Sequence, residues 1–252
     1  MIKLSLLKKE LMEYFKTPKI LILSVLFVFF AIASPALAKY MNEILKAVAS
    51  DLEIVFPDPT FKDAWLQFYK NMNSLCLIVY LIVLTGVVSS EKSKGSIVLV
   101  LTKNVSRLQF LLCKFLAGVI VYTLLLVVST FVSAYYTQIL FGVYSYPGMI
   151  ESIILLWVLG VFYTALGIFV STLAKSPTTS ALLGFFGFAL LQVLNISENI
   201  SLYNPAGASS IVNQILVGSF DMSLFFIPVL IALLSSGVMF GISYYVFTKQ
   251  EI

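Results

Sequence analysis

The chain has no histidine and only two cysteines, Cys76 and Cys113, among its 252 residues. That excludes His-based acid/base catalysis, the His and Cys sets that hold zinc, and a disulfide framework. Charge is scarce too: 16 Lys and Arg with 12 Asp and Glu make up 11% of the residues, against roughly 25% in water-soluble globular chains. So few charges cannot cover a soluble particle of this size, and 60% hydrophobic residues point to lipid as the solvent. No Gly is followed by Lys, so no G-x-x-x-x-G-K phosphate loop can be drawn and the chain is not expected to hydrolyse ATP. The net charge of +4 is assigned to membrane sidedness, and no nucleic-acid partner is expected.

What is present in quantity is uncharged sequence. Stretches free of Asp, Glu, Lys and Arg run through Ile20–Ala38, Asn71–Ser90, Phe115–Ile150, Ser152–Ala174, Ser176–Ser197 and Met222–Thr248. Each supplies the roughly 20 apolar residues that cross about 30 Å of hydrocarbon as a helix. An all-α membrane protein with six transmembrane helices in one domain, residues 1–252, is therefore expected. Placing both termini inside puts twelve Lys and Arg on the cytoplasmic side and four outside, which favours cytoplasmic termini. Lysines, an apolar run and Ala36-Leu37-Ala38 resemble a cleaved secretory signal. The long charged leader, Pro35 and five later spans predict a retained helix instead. Cys76 is expected near the outer end of span two and Cys113 at the inner end of span three. That is too far for a disulfide, which needs Cα atoms within about 7 Å.

The connections carry their own signals. In residues 1–19, Leu4, Leu7, Leu11, Tyr14 and Phe15 fall on one helical face, with Lys3, Lys9, Glu10, Glu13 and Lys16 on the other. This predicts an amphipathic helix in the inner interface, ended by Thr17-Pro18, which serves as a basic anchor or as a working elbow. Met41, Ile44, Leu45, Val48 and Leu52 make a second stripe outside. Thr60 with Asp63 reads as a capping box that starts span two near Phe61. Residues 91–107 form the largest cytoplasmic connection, in which an apolar pentad inside a basic loop must bury Ile97, Val98 and Leu101 against something. A loop helix packed on the chain's own spans and a docking segment for another protein both answer that need. Ser106 with Gln109 opens the third long helix, whose Lys114 is expected to snorkel to the inner headgroups. In the outer connection, residues 195–221, Asn204, Pro205 and Gly218 mark Ala206–Val217 as a short extracellular helix.

The energy source is expected to lie elsewhere. No span interior holds the Asp, Glu, Lys or Arg that proton relays use, which disfavours a proton-driven mechanism and an intramembrane enzyme. Thr85, Ser133, Gln138, Thr164 and Gln192 are mild polar residues within the spans. They fit either a route for an amphipathic cargo or bonds between helices.

Glu91-x-x-x-Gly95-Ser96-Ile97, Leu101, Val105-Ser106-Arg107 and Lys114 then form an ordered set. Leu166–Ala174, Ser176-Pro177-Thr178-Thr179-Ser180-Ala181 and Tyr203-Asn204-Pro205 extend it over nearly the whole chain. The set resembles permease subunits of ABC exporters of the second membrane-fold class, the ABC-2 type. It departs from them at Asn104, where proline is common, and at Cys113, where glycine is common. The resemblance implies a homodimer of six-span subunits in a prokaryotic plasma membrane, with one ATP-binding subunit, holding ATP and Mg, under each. It also implies a coupling helix in the segment Glu91–Thr102, with Glu91, Gly95, Ile97, Val98, Leu101 and Arg107 as coupling residues. The implied function is export of a hydrophobic or amphipathic substrate: a peptide, an antibiotic or a lipid. A membrane sensor or immunity subunit that binds an antimicrobial peptide without moving it is the alternative.

Overall fold

The computed structural model describes residues 4–48, 57–102, 105–195 and 198–250. Every regular element among them is helical. A short helix α1 (Leu4–Lys16) bends at Thr17 into α2 (Pro18–Val48). Helix α3 (Phe61–Asn71) passes through a π-helical turn, Met72–Cys76, into α4 (Leu77–Ser93), and α5 (Ser96–Leu101) follows. Then come α6 (Arg107–Phe141), α7 (Met149–Leu173), α8 (Pro177–Leu194), the single turn α9 (Glu198–Ser201), α10 (Ala208–Val217) and α11 (Phe226–Lys249). Six of these units are long and apolar enough to cross a membrane, with α3, the π turn and α4 counting as one. The chain is an integral membrane protein. Helix α2 runs unbroken through Pro35 and Ala36–Ala38 and takes in the outer stripe as far as Val48. Met41 and Ile44 are exposed; Leu52 and the side chains from Leu45 to Val48 lie outside the described residues.

Local signals set the helix ends. The Asp63 carboxylate accepts from the Thr60 backbone N–H at 2.7 Å and so starts α3 at Phe61. Ser106 Oγ accepts from Gln109 N, and Gln109 Oε1 accepts from Ser106 N, both at 3.2 Å, which starts α6. Gly218, with φ 83°, ends α10 as expected. That helix begins two residues later than its sequence suggests. Asn204 Oδ1 accepts from Ala206 N at 3.1 Å like a cap, but its amide donates to Leu191 O and Asn195 Oδ1, and this holds 204–207 in turns. Gly207 is required there by space alone, since a Cβ would stand 1.6 Å from the Ser201 carbonyl oxygen. Gly207→Ala is expected to open this connection, read as new protease cleavage confined to residues 195–221 while the six-span core stays intact.

The second, third and fourth spans form the interior, and α7 touches α4, α6, α8, α10 and α11. At its centre Tyr80 Oη donates to Gly118 O at 2.9 Å and bonds Thr164 Oγ1 at 2.7 Å. Tyr122 Oη donates to Leu156 O at 3.0 Å, and its ring lies over Gly160. The first, fifth and sixth spans lie against this interior with broad apolar faces outward, Phe185, Phe186 and Leu234 among them. Both cysteines are buried and free.

Candidate functional site

The end of the bundle where α1 and the last turn of α11 meet the start of α6 also carries most of the basic residues. There the chain leaves α4, turns and re-enters helix as α5. Gly95 makes the turn with φ 68°, in the left-handed region where a side chain is strained. Its N–H donates to Lys92 O at 3.1 Å, and its own carbonyl accepts from Val98 N at 3.3 Å. A six-residue helix has little stability of its own, so α5 depends on its anchor. That anchor is Ile97, 1% exposed, packed with Val88, Phe110, Leu111, Ile168 and Phe247. Burial of one such side chain is worth roughly 1.5–3 kcal/mol. Val98 and Leu99 point the other way, 43% and 68% exposed. The apolar pentad is thus divided between a buried root and an open face. Leu101 closes α5, and its side chain lies outside the described residues.

Glu91 sits at the foot of this turn in an ion cluster. Lys114 Nζ donates to Glu91 Oε1 and Glu10 Oε2, each at 2.8 Å. Lys9 Nζ reaches Glu10 Oε1 at 3.0 Å and Glu91 Oε1 at 3.2 Å. Lys114 is fully buried and lies 4.8 Å from the centre of the Phe110 ring, so it does not snorkel to headgroups. Two carboxylates hold it inside, which overcomes the pull of water on an ammonium group. Glu10 likewise leaves the polar face assigned to it: Leu6, Glu10 and Tyr14 form the buried side of α1, while Leu4 and Phe15 are exposed. Among the titrating neighbours, burial works against the Lys9 ammonium, yet Glu10 and Glu91 outweigh it and hold its pKa above the usual lysine value. Burial similarly opposes the Glu13 carboxylate, but Lys19, with Lys114 and Lys9 behind it, keeps its pKa below the usual range. The cluster joins α1, the stem of α5 and the start of α6 into one unit. Nothing in the spacing of Lys9 and Glu10 marks them as members of a buried ion cluster, beyond an acid that falls in line with Leu6 and Tyr14.

Arg107 is not part of this cluster. Its guanidinium donates to the carbonyls of Phe247, Thr248 and Gln250 and so closes the end of α11, where helix carbonyls lack partners. Lys92 Nζ, at 2.7 Å, and Gln250 Nε2, at 3.1 Å, both donate to Thr172 O at the end of α7. Together Lys92, Gly95, Ile97, Val98, Leu173, Lys175 and Gln250 enclose a cleft of ≈ 490 Å³ beside α5.

The five polar span residues have separate surroundings. Thr85 donates to Ile82 O at 2.8 Å, and its carbonyl accepts from Ser180 Oγ at 2.7 Å; its methyl meets Gly184, which lets α8 approach α4. Thr164 is bonded to Tyr80 and to Gly160 O. Ser133 is buried, with no partner for its hydroxyl among the described residues. Gln138 is exposed and donates to Gly142 O at 2.9 Å. Gln192 accepts from Asn195 Nδ2 at 3.4 Å.

Comparison with known proteins identifies this architecture. A family model described as "ABC-2 family transporter protein" matches residues 4–252. An uncharacterized transmembrane protein of Bacillus subtilis (strain 168), YxlG, is 23% identical over 188 residues, which cover 73% of this chain and 72% of that protein. Such family members are transmembrane transport subunits that work with an ATP-binding subunit. With six spans in one unit and a match over almost its entire length, the chain belongs to the ABC-2 family of transporter proteins.

Proposed function

We propose that the chain is the membrane-spanning half of an ATP-driven exporter, acting as two copies above two ATP-binding subunits. Those subunits hold ATP and Mg and perform the hydrolysis, and this chain contributes no catalytic group. Its termini and α5 face the cytoplasm, in keeping with the distribution of Lys and Arg. The observation that carries the proposal is the division of α5, with Ile97 rooted in the core and Val98 and Leu99 held outward. An apolar face on a six-residue helix in a basic loop is suited to a groove on another protein. Force applied there passes through Glu91 and Lys114 to α1 and α6, and through the Ile97 cluster to α7 and α11. Dimerisation of the ATP-binding subunits shifts the membrane part between states only so far as its binding energy differs between them. The broad apolar faces of the spans suit a hydrophobic or amphipathic substrate.

The test is co-purification with the separately encoded ATP-binding subunit. Leu99→Asp, on the open face, is expected to abolish recovery of the partner while the chain keeps its melting behaviour. Undiminished recovery, or transport by the chain with no ATPase present, would contradict the reading. Vesicles loaded with labelled cargo separate an exporter, which moves it on addition of ATP, from a sensor, which alters partner ATPase activity and leaves the cargo in place.

A further inference from the structure

At the end of the bundle away from the termini, a second groove of ≈ 490 Å³ opens between α6 and α7. Val127, Phe131 and Ala134 of α6 and Ile153 of α7 make its walls, and Gln138 and Tyr144 stand at its upper end. Phe131 is 73% exposed, so this wall has little covering from its own chain. From Val127 to Gln138 the groove follows α6 for roughly 16 Å, close to the roughly 15 Å of hydrocarbon in one leaflet. Polarity changes along that length. The lower walls are apolar but for Thr130, whose hydroxyl is buried, whereas Tyr135, Gln138 and Tyr144 bring two phenols and a carboxamide toward the upper end, where α6 terminates at Gly142.

These features restrict the occupant. Water has too few polar partners on the lower walls, and an unfilled groove forfeits dispersion contacts along both helices. A helix of a second copy, about 10–12 Å across, would cover the groove without entering it. Spread over roughly 16 Å of α6, ≈ 490 Å³ leaves a cross-section of about 30 Å², too narrow for a helix and enough for a single flexible hydrocarbon chain running along the leaflet.

We propose that the groove is a lipid site. One acyl chain of a phospholipid from the leaflet opposite the termini lies between α6 and α7, with its ester and headgroup at Gln138 and Tyr144. The lipid fills the seam between two interior spans and is held there, unlike the exchanging lipid around the outer faces.

The full-length chain in nanodiscs of phosphatidylethanolamine and phosphatidylglycerol, doped with a phospholipid carrying a diazirine in its acyl chain, provides the test. After irradiation, peptide mapping is expected to place adducts on the Val127–Gln138 stretch several-fold above those on the part of α11 that exposes Leu230, Leu233 and Leu234. Ala134→Trp, which fills the groove, should lower the first several-fold and leave the second unchanged. If that variant fails to fold, native mass spectrometry of the unsubstituted protein is decisive: retention of phospholipid through extended detergent washing supports the site, and its complete loss overturns it. Equal labelling of both stretches would overturn the proposal. So would disulfide capture of two copies through Phe131→Cys with lipid labelling absent, which would assign the groove to a subunit contact.

Discussion

Lys114→Met is expected to destabilise the chain by about 3–5 kcal/mol, because it leaves the buried Glu10 and the largely covered Glu91 without their shared cation. Glu10 and Lys114 are each less than 3% exposed, and among the described residues only Lys9, which is 44% exposed, remains paired with the two carboxylates. Adding Glu10→Gln and Glu91→Gln to Lys114→Met removes the uncompensated charge and should recover most of the loss, since a buried ion pair is often replaceable by neutral groups. Stability and coupling should therefore separate. The triple variant is expected to melt near the parent temperature yet stimulate its partner ATPase poorly, because α1 and the α5 stem are no longer tied to α6. Thermal unfolding in detergent with partner ATPase assays checks both. Full ATPase coupling in the triple variant would show the cluster to be merely structural.

Gly160→Ala carries the second large effect. A Cβ at this position would lie 1.9 Å from the Tyr122 ring, in the most enclosed part of the bundle. The ring has little freedom to move, since its hydroxyl is bonded to Leu156 O and its edge contacts Phe27 and Tyr80. Overpacking a core usually costs about 1–3 kcal/mol, and this clash belongs at the upper end or beyond. Tyr122→Leu alone should also destabilise by removing ring contacts and a hydrogen bond. Combined, the two substitutions should cost less than their sum, with a compensating interaction of more than about 1 kcal/mol. Simple additivity of the melting shifts would contradict the tight Gly160–Tyr122 contact.

The parts of the fold legible in the sequence are those set by short-range rules. Thr60 with Asp63 and Ser106 with Gln109 are capping boxes because the partners stand three residues apart, a spacing fixed by helix geometry. The six spans follow from the absence of charge over membrane-length runs. Long-range pairings were not legible. Lys114 finds Glu10 across 104 residues, and Arg107 finds Phe247 across 140. Periodicity assigned Glu10 to the wet side of α1, because a pattern of apolar residues carries no information about a buried countercharge. Nor does residue type announce the π turn at Met72–Cys76. In the connection 91–107 an apolar run reads alike from residue to residue, whereas the fold buries Ile97 and exposes Val98 and Leu99.

Leu99→Cys offers the most direct measurement, because Cys76 and Cys113 are buried and give a quiet background. A membrane-impermeant maleimide should label this position in inside-out vesicles, and the bound ATP-binding subunit should protect it. Labelling in right-side-out vesicles, or labelling unaffected by the partner, would place α5 away from any cytoplasmic motor.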